Sequence, residues 1–175
     1  MIRVLLKEGK TTKPVTFKLH SDSGFWLSKT PANKIKKLEE QDLEVTLFEE
    51  KIILKGRDGK QFKSNENKLT LSPITEHIQA NGVPYDGFIL FHTSQKNHFQ
   101  MINWVDLEDY IYSVLRYEVY QSWPEEMHAV QAIASRTYAA HCMEKAKKGR
   151  RTFDIKNSNF HQVYNGTHKY QHLKT

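Results

Sequence analysis

The chain has a single cysteine, Cys142, among 175 residues. That excludes an intramolecular disulfide framework and any zinc cluster built on several thiols. No apolar run approaches the roughly 20 residues that a membrane span needs, and the opening MIRVLLKEGK is too short and too soon charged for a secretory signal. No membrane anchor or export address is read. A phosphate-binding glycine loop is also lacking, and His128, His141, His161 and His168 do not form the paired arrangement of a helical zinc protease. No internal repeat, low-complexity tract or Pro/Gly-rich linker divides the chain, which points to one domain spanning 1–175.

What is present begins with charge. A net +6 suits an anionic partner surface, whether nucleic acid, anionic lipid or an acidic wall polymer. The lysines are scattered, with short clusters only at Lys34 to Lys37 and Lys145 to Arg151, which read as a solvated helix face or a helix C-terminus. No nucleic-acid module is recognisable, and no nucleic-acid partner is assigned. His141 and Cys142 are neighbours that would point apart on a helix, so Cys142 reads as a packed residue.

The hydrophobic pattern predicts an α+β fold, β-rich in its first half. Ile2 to Leu6 and Pro14 to Leu19 read as strands, and Leu43 to Gly56 reads as two alternating runs turned back at Glu49 to Lys51. Between Gly87 and Val105, GFILFHT and HFQMINWV flank the polar SQKN as a hairpin would. The period then changes. Leu107, Ile111, Val114 and Leu115 fall at helical spacing behind Asp106, a natural N-cap. Ser122 to Glu125 has the form of a capping box with Pro124 in the first turn, predicting a second, long helix. Its apolar stripe would be Val130, Ile133, Thr137 and Ala140, and it would stop near Gly149.

Glu118 lies at the junction of these helices, in RYEVYQSWPEE, among Tyr117, Tyr120 and Trp123. Apolar surroundings disfavour the ionised carboxyl, so Glu118 either escapes to solvent or is kept protonated for use as an acid. Glu108, Asp109, Glu125 and Glu126 are explained by helix first turns, where the macrodipole favours carboxylates.

The run VDLEDYIYSVLRYEVYQSWPEEMHAVQAIASRTYAAH, with a later QVYNG, resembles the SpoIID family, the stage II sporulation protein D and amidase-enhancer group. The matching positions are Val105, Leu107, Glu108, Tyr110 and Val114, then Glu118, Trp123 and Pro124. Gln131, Ala132, Ala134, Arg136, Thr137, Tyr138 and Ala139 follow, then Gln162, Val163, Tyr164 and Gly166. The upstream GVPYDGFILF and IRVLL are similar to the family's strands. Around the Glu this chain departs from the family, with Arg116, Tyr117, Val119 and Tyr120 as its walls. Lys156 and His161 stand where some members carry a Cys/His metal cluster, so no metal and no cofactor is expected. The family usually continues past the QVY segment, so the chain reads as a shortened member or a fragment.

The resemblance implies a peptidoglycan lytic transglycosylase in the cell envelope, acting on glycan strands denuded of stem peptides, with a cell-wall amidase as partner. Glu118 would be the single catalytic residue. Ser135, Arg136, Tyr138, Gln162, Tyr164 and Trp123 would bind substrate. Three of them have a plainer reading beside this one: an intramolecular ion pair for Arg136, core packing for Tyr138, a solvated helix end for Glu118. The alternative function is a non-catalytic wall-binding module that enhances an amidase.

Overall fold

The computed structural model describes residues 1–30, 33–64, 66–94 and 97–167. Gln95 and Lys96 of the expected hairpin loop, and His168, lie outside them. Strands β1 (Ile2–Lys10), β2 (Val15–His20), β3 (Phe25–Thr30), β4 (Asn33–Leu38), β5 (Asp42–Phe48), β6 (Lys51–Gly56), β7 (Gln61–Ser64), β8 (Lys68–Pro73), β9 (Ile78–Ala80), β10 (Val83–Tyr85), β11 (Phe88–Ser94) and β12 (His98–Val105) precede two helices. These are α1 (Leu107–Glu118) and α2 (Glu125–Lys148), and a two-residue strand, β13 (Ile155–Lys156), follows. The α+β class is as expected.

Period-2 alternation decides the strands. In β5, Leu43, Val45 and Leu47 face inward, as do Ile52 and Leu54 of β6, and the two strands turn at Glu49 and Glu50, both at positive φ. That pair of dihedrals is the primed turn whose twist matches a hairpin. The strands form two sheets, β13-β1-β12-β11-β8-β3-β4 and β10-β9-β2-β5-β6-β7. They share one core, in which Phe17 of the second sheet meets Phe91 and Phe99 of the first at ring separations of 5.5 and 6.1 Å. Lys34 to Lys37 lie on β4, not on a helix; it is an exposed edge strand whose lysines discourage further pairing.

Helix α1 begins as expected, with the Asp106 side chain accepting the Glu108 N–H at 2.9 Å. Helix α2 departs from expectation twice. The Ser122 capping box does not form: Pro124 takes the N-cap position with no side-chain cap bond, and the Trp123 N–H closes a turn on the Tyr120 carbonyl. A box from Ser122 would require Trp123 to be helical, and the residue before a proline is pushed out of that region. The second correction is the buried face. Val130 and Ile133 are 60% and 63% exposed, while Ser135, Ala139, Cys142 and Ala146 face the protein. Small side chains let α2 lie close to its support, so the larger residues point away. The helix stops at Gly149, behind Lys145, Lys147 and Lys148, as the sequence predicts.

After α2 the chain returns to the first sheet. Asp154 is buried and receives Arg3 through Nε at 3.2 Å, Nη2 at 2.5 Å and the backbone N–H at 2.8 Å, while its own N–H donates to the Arg3 carbonyl. β13 then runs parallel to β1, and the Asn157 N–H donates to the Leu5 carbonyl at 3.0 Å. Asn103 of β12, fully buried, donates to the Asp86 and Phe88 carbonyls at 2.9 and 3.0 Å and accepts the Tyr164 hydroxyl at 2.6 Å. In the second sheet, His20 bridges Asp42 (2.8 Å) and Asp22 (3.1 Å).

Two outcomes follow from these contacts. Tyr164→Phe strands the buried Asn103 carbonyl and should lower stability by about 1–3 kcal/mol in denaturant unfolding. The bond to Asp42, then that to Asp22, raises the His20 imidazole above its ordinary 6.5. Its stabilisation is full below that ordinary value and is lost as pH rises through the raised one, so the thermal-midpoint advantage of the parent over His20→Gln should shrink on going from about pH 6 to about pH 9.

Candidate functional site

Glu118 is the last residue of α1, and Val119 breaks the helix in an extended conformation. The side chain is half-buried, and its Oε1 accepts the Val163 N–H at 3.3 Å. The segment that supplies this donor is fixed residue by residue. The Tyr110 hydroxyl donates to Gln162 Oε1 at 3.0 Å, the Tyr164 N–H donates to Asn157 Oδ1 at 2.9 Å, and Ser113 donates to the Gly166 carbonyl. Gly166 has φ +81°, and a Cβ there would stand 2.1 Å from the Pro84 carbonyl oxygen, so only glycine lets the segment lie this close.

Burial sets the electrostatics. Tyr110 is fully buried, and desolvation, with smaller contributions from Cys142, Tyr138 and Glu118, holds its phenol far above the usual range, so it stays a donor to Gln162. Desolvation, then a hydrogen bond with Cys142, raises Tyr138. The Tyr138 hydroxyl lies 2.7 Å from His161 Nδ1, and His161 lines an open cleft with residues Arg151 to Lys156.

The aromatics around Glu118 are not the wall that the sequence suggests. Tyr117, Tyr120 and Trp123 are all exposed, Tyr120 to 72%, and Tyr120 and Trp123 meet edge-on at 5.7 Å. They form a fringe in solvent, as stacking on a ligand would require.

The remaining expected site residues divide. Gln162 comes to Glu118 through its neighbour Val163, and Tyr138 comes to the same segment through His161. Ser135 is buried, and its hydroxyl has no hydrogen-bond partner among the described residues. Tyr164 is core, its hydroxyl committed to Asn103. Arg136 is forked onto Glu108 at 2.8 and 2.6 Å, and this fork holds the Glu108 carboxyl below its usual value. Glu108 lies ten residues before Glu118, about 15 Å along the helix axis. Arg136 is therefore an intramolecular partner at the far end of α1. Among the described residues no group of three His, Cys, Asp or Glu could hold a metal ion.

Sequence reasoning assigned no role to Tyr110, Asn157 or the Val163 amide. A tyrosine on a buried helix face signals a need for a partner; a backbone donor has no side-chain signal at all.

A protein-family model described as SpoIID, stage II sporulation protein, matches residues 95–175. The upstream strands expected to resemble that family lie outside this match. An uncharacterized protein of Brachyspira hyodysenteriae (strain ATCC 49526 / WA1) is 33% identical over 127 residues, 72% of this chain and 29% of that protein. The chain thus spans less than a third of that relative's length. No solved structure matches.

The Glu108–Arg136 fork is exposed on both sides. A double-mutant cycle by thermal or denaturant unfolding should give a coupling of no more than about 1 kcal/mol. A much larger coupling would mean the fork holds the two helices together.

Proposed function

We propose, on the match of residues 95–175 to the family model described as SpoIID, stage II sporulation protein, that the chain is a peptidoglycan lytic transglycosylase with Glu118 as its one acid and base. The family is associated with sporulation and cell-wall lytic activity. The observation that supports a catalytic role is the state of Glu118: half-buried at a helix end, one oxygen taken by a backbone amide, and exposed aromatics beside it in sequence. Its second oxygen has no hydrogen bond among the described residues.

Ordinary glycoside hydrolysis uses two carboxylates across the scissile bond. The other carboxylates of α1, Glu108 and Asp109, stand at its far end. One carboxylate suffices if the nucleophile is the sugar's own C6 hydroxyl. Glu118 donates its proton to the oxygen leaving toward N-acetylglucosamine as the bond to C1 of N-acetylmuramic acid breaks. It then accepts the C6 hydroxyl proton as O6 bonds to C1. The product is a 1,6-anhydro ring, no water is consumed, and the carboxyl regains its proton. Tyr117, Tyr120 and Trp123 would stack on sugar faces, and Gln162 and Tyr138 would border the groove. The substrate places the work in the cell envelope, on strands cleared of stem peptides by an amidase partner.

The test is mass spectrometry of soluble products from peptidoglycan, with and without amidase pretreatment, using the parent and Glu118→Gln. Anhydro-muropeptides from the parent alone are expected. Reducing ends would mean hydrolysis and a second carboxylate. Binding by both proteins with no release from either would replace this reading with the wall-binding, amidase-enhancing module.

A further inference from the structure

We propose that Asn157 is a positioning residue for Glu118, acting through the backbone amide of Val163; the proposal rests on the reading of Glu118 as the reacting carboxylate. The groups form a relay. The Asn157 N–H is anchored on the Leu5 carbonyl of β1 at 3.0 Å, and its side-chain oxygen takes the Tyr164 N–H at 2.9 Å. Burial alternates from exposed His161 to buried Gln162, half-buried Val163 and buried Tyr164, the pattern of an extended chain. In an extended chain successive N–H groups face opposite ways. Committing the Tyr164 N–H to Asn157 therefore turns the Val163 N–H to the other side, where Glu118 Oε1 receives it at 3.3 Å.

The other anchors of this segment do different work. Tyr110 holds the Gln162 side chain, and Asn103 holds the Tyr164 ring by its hydroxyl. Both fix where the segment lies. Asn157 sets how it faces: its backbone bridges Gln162 in parallel, and its side chain supplies an acceptor for the one amide next to the donor that Glu118 uses. Its loss would leave a buried N–H to find a new partner by rotating the peptide plane. A general acid displaced by about 1 Å loses on the order of a hundredfold in rate.

The experiment is a pH titration of the 15N-labelled chain by NMR, with anhydro-product release measured on the same proteins. A hydrogen-bonded amide reports the ionisation of its carboxylate, so the Val163 amide resonance should titrate in the parent and stop titrating in Glu118→Gln. In Asn157→Ala the titration should vanish and product release should fall about a hundredfold, while the Tyr110 and Asn103 resonances stay at their parent positions. Asn157→Asp keeps the acceptor and should restore both readouts. An amide that does not titrate in the parent overturns the proposal, as does one that still titrates in Asn157→Ala. Loss in Asn157→Ala without rescue by Asn157→Asp overturns it in favour of a merely structural role. If the parent releases no product, the enzymatic reading falls and the amide titration alone decides the role of Asn157.

Discussion

A buried primary amide is the constraint on which this structure hangs. Asn103 sits in the middle of the first sheet with no access to water, so each of its hydrogen-bonding groups must find a partner inside the protein. The Asp86 and Phe88 carbonyls accept from it, and among the described residues the donor to its oxygen is Tyr164, far along the chain. The demand works in both directions, since a fully buried phenol also needs a partner. The segment around residues 162–166 is therefore drawn against the sheet, and the amide next to Tyr164 is brought to the end of α1. The position of Glu118 relative to the Val163 amide is thus a consequence of satisfying a polar group in the core.

Two Arg–carboxylate forks show how burial alone separates structural weight from ornament. Arg3 and Asp154 combine side-chain and backbone hydrogen bonds around a carboxylate that is nearly inaccessible, so removing either leaves an uncompensated polar group inside. Glu108 and Arg136 have as good a geometry but stand in solvent, where water offers both ions the same contacts. The first fork ties the return of the chain to β1; the second decorates the opening turn of α1.

The sequence was most legible where local rules operate. Alternation marked the β5–β6 and β11–β12 hairpins, Asp106 marked a helix start and Gly149 a helix end, because each depends on residues within one turn or one strand pair. It was least legible where packing overrides pattern. Val130 and Ile133 have the spacing of a buried stripe, yet Ala139 and Ala146 win the interface because α2 must lie close to its neighbours. β4 has no buried face to produce a pattern, and β13 is too short to have a period. Glu118 could be singled out from its neighbours and its family resemblance. Its actual donor could not, because a backbone N–H is contributed by position and not by residue type.

The contacts that complete the site span nearly the whole chain: Arg3 and Asp154 are separated by 151 positions, and Tyr110 and Gln162 by 52. Closing so large a loop carries an entropic cost that must be met before the contact gives anything back, so such pairings form late. The two sheets' hairpins and the helices can organise from short-range contacts while the return segment is still absent. During synthesis, α1 would therefore stand complete with Glu118 unaccompanied, and the carboxylate would gain its amide donor only after the 45 residues that separate it from Val163 had emerged. The order of assembly itself would act as a timer, keeping Glu118 without its donor until the 162–166 segment has joined the sheet.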